Sequence, residues 1–399
     1  MKKLLTAIIL AATAAITLSG CNAIIESDYV SVTAHEKPAA QSAVPEGPVR
    51  EASDYQQLRT AISDFVEERA KRGTVRLKGY DRDVEKDVVD ACMEVANNTP
   101  MGAYAVYYMT SNISKIVSYY EAEILITYSR SAEEMRSVLT ATDKKDVRMA
   151  LSEAMGSYAN SLAMFVDTQD IDESFIASCV DELYYSDPSL SVTHPKVTVS
   201  SYPQTRDNRI VEVKLFHTYL KSSLVMMQEN LLASADELVR EAKSLDDIDA
   251  LLHIAEALSR TVEVKEKIPE DGSQDAWDTD DTAYGALVRN SATSEGFSMA
   301  AKLICDRIGI ECLVVNGMRN AADYSWNIVK LDDAYYHIDI SRSTPEDVSA
   351  EFFKNDSAMT EEYLWDAVKY PKCDGTAFSG DPGSIDLANE PERLMPTAR

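Results

Sequence analysis

Ser294, Tyr324, His337 and Asp339 are the residues whose types and order could do chemistry in this chain. Ser294 opens an apolar-periodic segment through Ala301, Leu303, Ile304 and Ile308 that Gly309 closes, which predicts a helix with a hydroxyl at its N-terminal end. Such a hydroxyl attacks an acyl group only if a neighbouring base takes its proton. Tyr324 and Asp339 fall on two segments, Tyr324 to Leu331 and Ala334 to Ile340, that read as a β-hairpin across Asp332-Asp333. A phenol with an ordinary pKa near 10 is a poor base at neutral pH. His337 stands two residues before Asp339, so both point to one face of the strand, and its imidazole is the candidate substitute base. Cys305 is eleven residues along the helix from Ser294. That is about 16 Å at 1.5 Å per residue, too far to replace the nucleophile. Ser294 also has a purely structural use, because Ser at a helix start is a good N-cap.

Elements of alternating type lead up to this region. Ser53 with Gln56 reads as a capping box before a helix through Leu58, Ala61, Ile62, Phe65 and Val66. A short strand near Val75 to Leu77, a helix ending at Pro100, and strands near 103–109 and 115–128 follow. Ser131 with Glu134 caps a further helix. The order then recurs: a helix from Val147 to Tyr158, a strand from Leu162 to Val166, a helix from Ile171 to Tyr185, and strands near 196–200 and 209–219. Leu58 and Val147 are 89 residues apart, Cys92 and Cys179 are 87 apart, and Lys115 and Arg209 are 94 apart. The spacing predicts two copies of an α-β-α-β-β unit, over 51–140 and 141–229. Cys92 and Cys179 then face separate, equivalent cores and serve as small buried apolar groups, and the tyrosine doublets follow from strand alternation. A helical stretch over about 222–260 leads into an acidic loop, 269–282, around Trp277. Thr282 and Ala283 break the EF-hand order, so the loop is read as solvated and no metal or cofactor is expected.

The 399 residues suffice for two or three folded units, and an apolar share of 45% can bury cores. Lys and Arg number 39 against 66 Asp and Glu, a net charge of −27 that repels phosphate backbones and rules against nucleic-acid binding. Lys2 and Lys3 precede an apolar run from Leu4 to Leu18, shorter than the roughly 20 residues of a spanning helix. The run reads as an export signal over 1–20. It ends Leu18-Ser19-Gly20-Cys21, which resembles the lipobox of bacterial lipoproteins and implies lipidation of Cys21, with the membrane as a partner through that lipid. The expected location is outside the cytoplasmic membrane, and residues 21–50, rich in Pro and Ala, suit a flexible tether. Five cysteines remain, Cys92, Cys179, Cys305, Cys312 and Cys373, so at least one is unpaired within the chain. Residues 371–399 read as a loose tail.

Residues 230–370 resemble the transglutaminase-like superfamily, whose core is related to papain-like cysteine peptidases. Ser294-Glu295-Gly296-Phe297-Ser298 fills the family's Cys-Glu-Gly-Tyr-Ala, and Gly309-Ile310-Glu311-Cys312 with Val315-Asn316-Gly317 fills the next landmarks. Tyr324-Ser325-Trp326-Asn327 stands for His-Ala-Trp-Asn, and Asp339 falls fifteen residues beyond Tyr324 as the family's Asp does beyond its His. The resemblance implies an α+β fold in which two α-β-α-β-β repeats precede a papain-like α+β region. It places Ser294 at the nucleophile position, Tyr324 at the base position and Asp339 at that of the orienting acid. Two of the three groups are therefore replaced. The expected function is a non-catalytic module in which Trp326, Asn327, His337 and Glu295 line a groove for a peptide, protein or cell-wall ligand. One alternative is an active peptidase or protein cross-linker using Ser294 with His337, and another is a structural surface scaffold.

Overall fold

In a computed structural model, residues 46–266, 279–348 and 351–375 are described. The export signal, most of the tether and of the acidic loop, and the tail beyond 375 lie outside those residues. The chain is α+β, built on three four-stranded sheets.

The first sheet comprises β1 (Val49–Ala52), β2 (Arg72–Lys78), β3 (Val106–Ile116) and β4 (Tyr119–Tyr128), in the order β1-β2-β4-β3. Helices α1 (Tyr55–Glu67), α2 (Val84–Asn98) and α3 (Pro100–Ala105) belong to it, followed by α4 (Ala132–Arg136). Leu58, Ile62 and Phe65 of α1 and Val88, Cys92 and Val95 of α2 recur at helical spacing and pack with Val75, Leu77 and Ile124 of the sheet in one core. The second sheet repeats the pattern. It contains β5 (Leu139–Thr140), β6 (Ser161–Val166), β7 (Lys196–Tyr202) and β8 (Arg209–Phe216) in the order β5-β6-β8-β7, with helices α5 (Lys144–Gly156) and α6 (Glu173–Ser186). Each copy opens with a short strand parallel to its neighbour, β1 on β2 and β5 on β6. The unit is therefore β-α-β-α-β-β. Four residues and two residues carry too little alternation to register as strands in the sequence.

Two expectations need correction here. Pro100 ends the second helix as expected but also opens another: Thr99 ends α2 and caps α3, accepting the Gly102 amide, so the strand expected at 103–109 begins at Val106. Proline at N1 starts a helix as readily as it stops the previous one. The first helix is capped by Asp54, whose carboxylate accepts the Gln57 amide, one position beyond Ser53. The Ser131–Glu134 capping box forms as read.

The stretch over 222–260 is two helices, α7 (Lys221–Ala242) and α8 (Asp247–Thr261), the second capped by Asp246. Two short parallel strands follow, β9 (Glu263–Val264) and β10 (Ser291–Ala292), the latter preceded by a π-helical turn at Gly285–Arg289. Helix α9 (Ser294–Ile308) is buried from Ser294 through Cys305 on every side. A helix so enclosed is a core element, and it packs on α7, α8 and the third sheet. That sheet runs β13-β12-β11-β14 and is antiparallel throughout: β11 (Cys312–Arg319), β12 (Ala322–Leu331), β13 (Ala334–Ile338) and β14 (Tyr363–Leu364). The β12–β13 turn carries Asp332 at φ 51°, the left-handed conformation the hairpin demands. A 3₁₀ turn at Ile340–Arg342 and the short α10 (Asp356–Met359) complete the chain. The second unit and the α9 region share one continuous apolar core. Cys92 and Cys179 sit in different cores, and all five described cysteines are free and buried.

Candidate functional site

Helix α9 is capped by Thr293, which stands in extended conformation and donates its hydroxyl to Asp281 Oδ1 at 2.6 Å. Ser294 is therefore the first helical residue and not the cap. Its neighbour Gly296 is required, because a Cβ there would lie 2.2 Å from the Asp280 carbonyl oxygen. Ser294 is buried, and its Oγ accepts the Ser325 backbone N–H at 3.2 Å. That bond seats the first turn of α9 against the strand carrying Tyr324.

Strand alternation sorts the remaining residues. Asn327 donates to the Ser298 carbonyl on α9 at 3.0 Å, so Ser325, Asn327 and Val329 face the helix. Tyr324, Trp326 and Ile328 then face away. His337 is paired directly across from Ile328 and shares that outer face. Residues 355–375 cover the outer face, where Trp326, Ile328, Met359, Tyr363 and Cys373 form a compact core of their own. Gly317 lets this layer close: a Cβ on it would lie 2.4 Å from the Leu364 carbonyl oxygen and 2.9 Å from the Trp326 ring.

Both nitrogens of His337 are engaged inside this layer. Trp326 Nε1–H donates to Nδ1 at 2.9 Å, and Nε2 meets Asp356 Oδ1 at 3.0 Å. Because Nδ1 accepts, the ring proton of the neutral imidazole sits on Nε2 and is donated to Asp356. Burial holds the His337 pKa below its ordinary value, against the pull of Asp356. The expected Ser294–His337 dyad is therefore not assembled. The ring lies on the sheet face away from α9, with both nitrogens occupied.

His337, Asp356 and Cys373 could each offer a metal-ligand atom, and those atoms lie within 4.8 Å of one another. The tautomer opposes a metal: a ligating Nε2 would lose its proton while Trp326 still presents an N–H to Nδ1. Burial also pushes the Cys373 thiol up to about 12, so in this packing it stays protonated. The cluster is a knot tying residues 356–373 to the sheet, with the Cys373 amide also donating to Asp356 at 3.2 Å.

The base position belongs to a second network. Tyr324 Oη and Ser341 Oγ are 2.7 Å apart, Ser341 donates to Asp339 Oδ1 at 2.7 Å, and Tyr363 donates to Asp339 Oδ2 at 2.7 Å. Since Ser341 gives its proton to Asp339, Tyr324 gives its own to Ser341. Asp339 is 1% exposed, and burial raises its pKa while the hydroxyls pull it back. Burial and the nearby Asp339 drive the Tyr324 phenol far above its ordinary range. The Arg319 guanidinium stands 5.6 Å from the centres of both the Tyr324 and Tyr363 rings and binds Glu362 at 2.6 Å. Chemically this is a closed relay of hydroxyls around one carboxylate. No member is poised to take a proton from Ser294.

The residues expected to line a groove are interior in this structure. Trp326, Asn327 and His337 are fully buried. Glu295, also buried, accepts the Tyr185 hydroxyl at 2.8 Å and so joins α6 of the second unit to the start of α9. Tyr185, Ser341, Tyr363 and Arg319 are the functional-site neighbours that sequence reasoning missed. Ser341 alone carried a signal, standing two residues beyond Asp339 as His337 stands two before it.

No protein-family profile matches the sequence, and no curated protein is similar to it. Among solved structures, one described as "Crystal structure of a TGase" is 12% identical with a TM-score of 0.28, over 58% of this chain and 66% of that chain. That is a weak link at the level of fold. No helix among the described residues is long and apolar enough to cross a membrane.

Proposed function

We propose that the chain is a lipid-anchored extracytoplasmic protein whose α9 region is a transglutaminase-like scaffold without catalysis, serving as a binding or structural module. The carrying observation is the Tyr324–Ser341–Asp339–Tyr363 relay. It fills the base position with a phenol that holds its proton and engages the Asp339 carboxylate with hydroxyls, leaving it no imidazole to orient. Ser294 supports the same reading from the other side of the strand, since its hydroxyl accepts a backbone N–H and meets no base. The burial of Trp326, Asn327 and His337 favours a scaffold over a groove at this point, so a peptide or cell-wall ligand would be met elsewhere on the surface. The Cys21 lipobox and the −27 charge support a tethered, soluble ectodomain.

The test is amine incorporation and peptide hydrolysis by the purified full chain beside its Ser294→Ala variant. Neither protein should turn over. Ser294→Ala should cost about 1–2 kcal/mol of stability, because the buried Ser325 N–H loses its acceptor. Turnover by the parent that the substitution abolishes would overturn the proposal.

A further inference from the structure

The first sheet leaves one long edge open. Its outer strands are β1, four residues long, and β3, eleven residues long. Among the described residues β3 pairs as a strand with β4 alone, and beyond that ladder its backbone bonds at its first residue, where the Val106 N–H donates to the Gly102 carbonyl of α3. Folded proteins usually blunt such an edge with brevity, charge or a covering element. The second sheet does so: β5 is two residues long, and β7 is packed by α3 of the first unit. On β3, Lys115 is the single charged residue, and Tyr107 and Tyr108 are 73% and 51% exposed.

The layer above the sheet leaves apolar side chains partly uncovered at the same edge. Met109 and Ile113 point toward the core yet stay only partly buried. Helix α1 packs on β1 and β2, and α2 packs on β3. The buried stripe of α2, Val88, Ala91, Cys92 and Val95, divides two flanks. Glu94 marks the flank facing α1, where it accepts the Tyr55 hydroxyl at 2.9 Å and pairs with Arg59 at 3.6 Å. At about 100° per residue, Val89 and Met93 fall on the other flank, beyond β3. They are 47% and 53% exposed, one turn apart.

We infer that this edge is a self-association surface. Two copies pair β3 against β3, antiparallel about a two-fold axis normal to the sheet, and two four-stranded sheets become one of eight. Spacing selects a second copy as the occupant. Strands repeat about every 4.8 Å and packed helices about every 8–10 Å, so a layer holds one helix per two strands. The unit has two helices over four strands, and continuing the sheet brings the second copy's α2 beside the first at ordinary packing distance. Val89 and Met93 then meet their own counterparts, and Met109 and Ile113 are covered. Charge agrees: this strand carries no acid in a chain of net charge −27, so the approach sets no carboxylates opposite one another on the paired strands.

Sedimentation velocity of the full chain in detergent, combined with concentration-dependent amide exchange, tests the pairing. A dimer is expected, with β3 amides that gain protection as concentration rises. Val89→Asp with Met93→Asp, both at exposed positions, should raise the dissociation constant about 100-fold while leaving the monomer's circular dichroism unchanged. Ser111→Pro, at a position whose N–H faces the open edge because its partner Ile124 bonds to β2, is an independent second disruption. A monomer at about 100 μM would overturn the inference, as would a dimer that both variants leave intact. Protection of β3 in a monomer, independent of concentration, would assign the edge to another occupant and equally overturn it.

Discussion

Tyr363→Phe isolates the charge at the centre of the relay. The substitution keeps the ring, which packs edge-on to Trp326 at 5.1 Å between centroids, and removes only the hydroxyl 2.7 Å from Asp339 Oδ2. A short hydrogen bond to a carboxylate contributes about 1.5–3 kcal/mol. Water cannot replace it at a carboxylate that is 1% exposed, so a loss of about 2–3 kcal/mol is expected at neutral pH. The cost should depend on pH with a definite sign. Burial raises the folded-state pKa of Asp339, so between its unfolded and folded values the native state holds more protons. Its contribution to stability therefore falls as pH rises through that window. Removing a donor that favours the carboxylate raises the folded pKa further, so the variant loses more at neutral pH than in acid. Urea unfolding of parent and variant at about pH 7.5 and about pH 4.5 measures both quantities. A loss below about 0.5 kcal/mol, or one of equal size at both pH values, would refute a buried, charged Asp339.

Two further outcomes are expected. Arg130 binds Glu212 at 2.8 Å across the junction of the first two units, with the Glu212 side chain 4% exposed and that of Arg130 20% exposed. Arg130→Met should cost about 2–3 kcal/mol, less than a fully enclosed pair, and Arg130→Met with Glu212→Leu should recover most of it, as a double-mutant cycle by chemical denaturation would show. His337 has a lowered folded pKa, so the stability it contributes should be present above about 6.5 and lost as pH falls below that value. A nitrogen-15 NMR titration should find its ring neutral with the proton on Nε2, and added zinc should leave the melting temperature unmoved. A ring that protonates at or above about 6.5 would contradict this.

What the sequence disclosed follows from range. Helix α9, its stop at Gly309 and the Asp332-Asp333 turn are local, so period and punctuation revealed them. The duplicated units were legible for the same reason, through Leu58 and Val147 or Cys92 and Cys179. The junction at Thr99-Pro100 was not, because one residue ends one helix and caps the next. Nor was the break between α7 and α8, where Lys243-Ser244-Leu245-Asp246 holds no Gly or Pro to punctuate it. At the site, types and order disclosed Ser294 at the head of a helix and Tyr324, a poor base, on the hairpin. They could not reveal that Tyr363 and Tyr185 close on Asp339 and Glu295, contacts spanning 24 and 110 residues that only the tertiary fold creates.

Gly296 and Gly317 set the terms on which such a region tolerates change. At each, a single added carbon would collide with a backbone carbonyl oxygen, 2.2 Å and 2.4 Å away. Those oxygens belong to the main chain of other segments and cannot swing aside as a side chain would. The residues at 294 and 324 face no comparable obstacle: one needs only to accept an amide proton, the other to fill a space and reach a hydroxyl. Steric demand and chemical demand thus fall on different positions. A chain of this shape can exchange the residues at 294 and 324 one at a time without disturbing the close approaches that Gly296 and Gly317 permit.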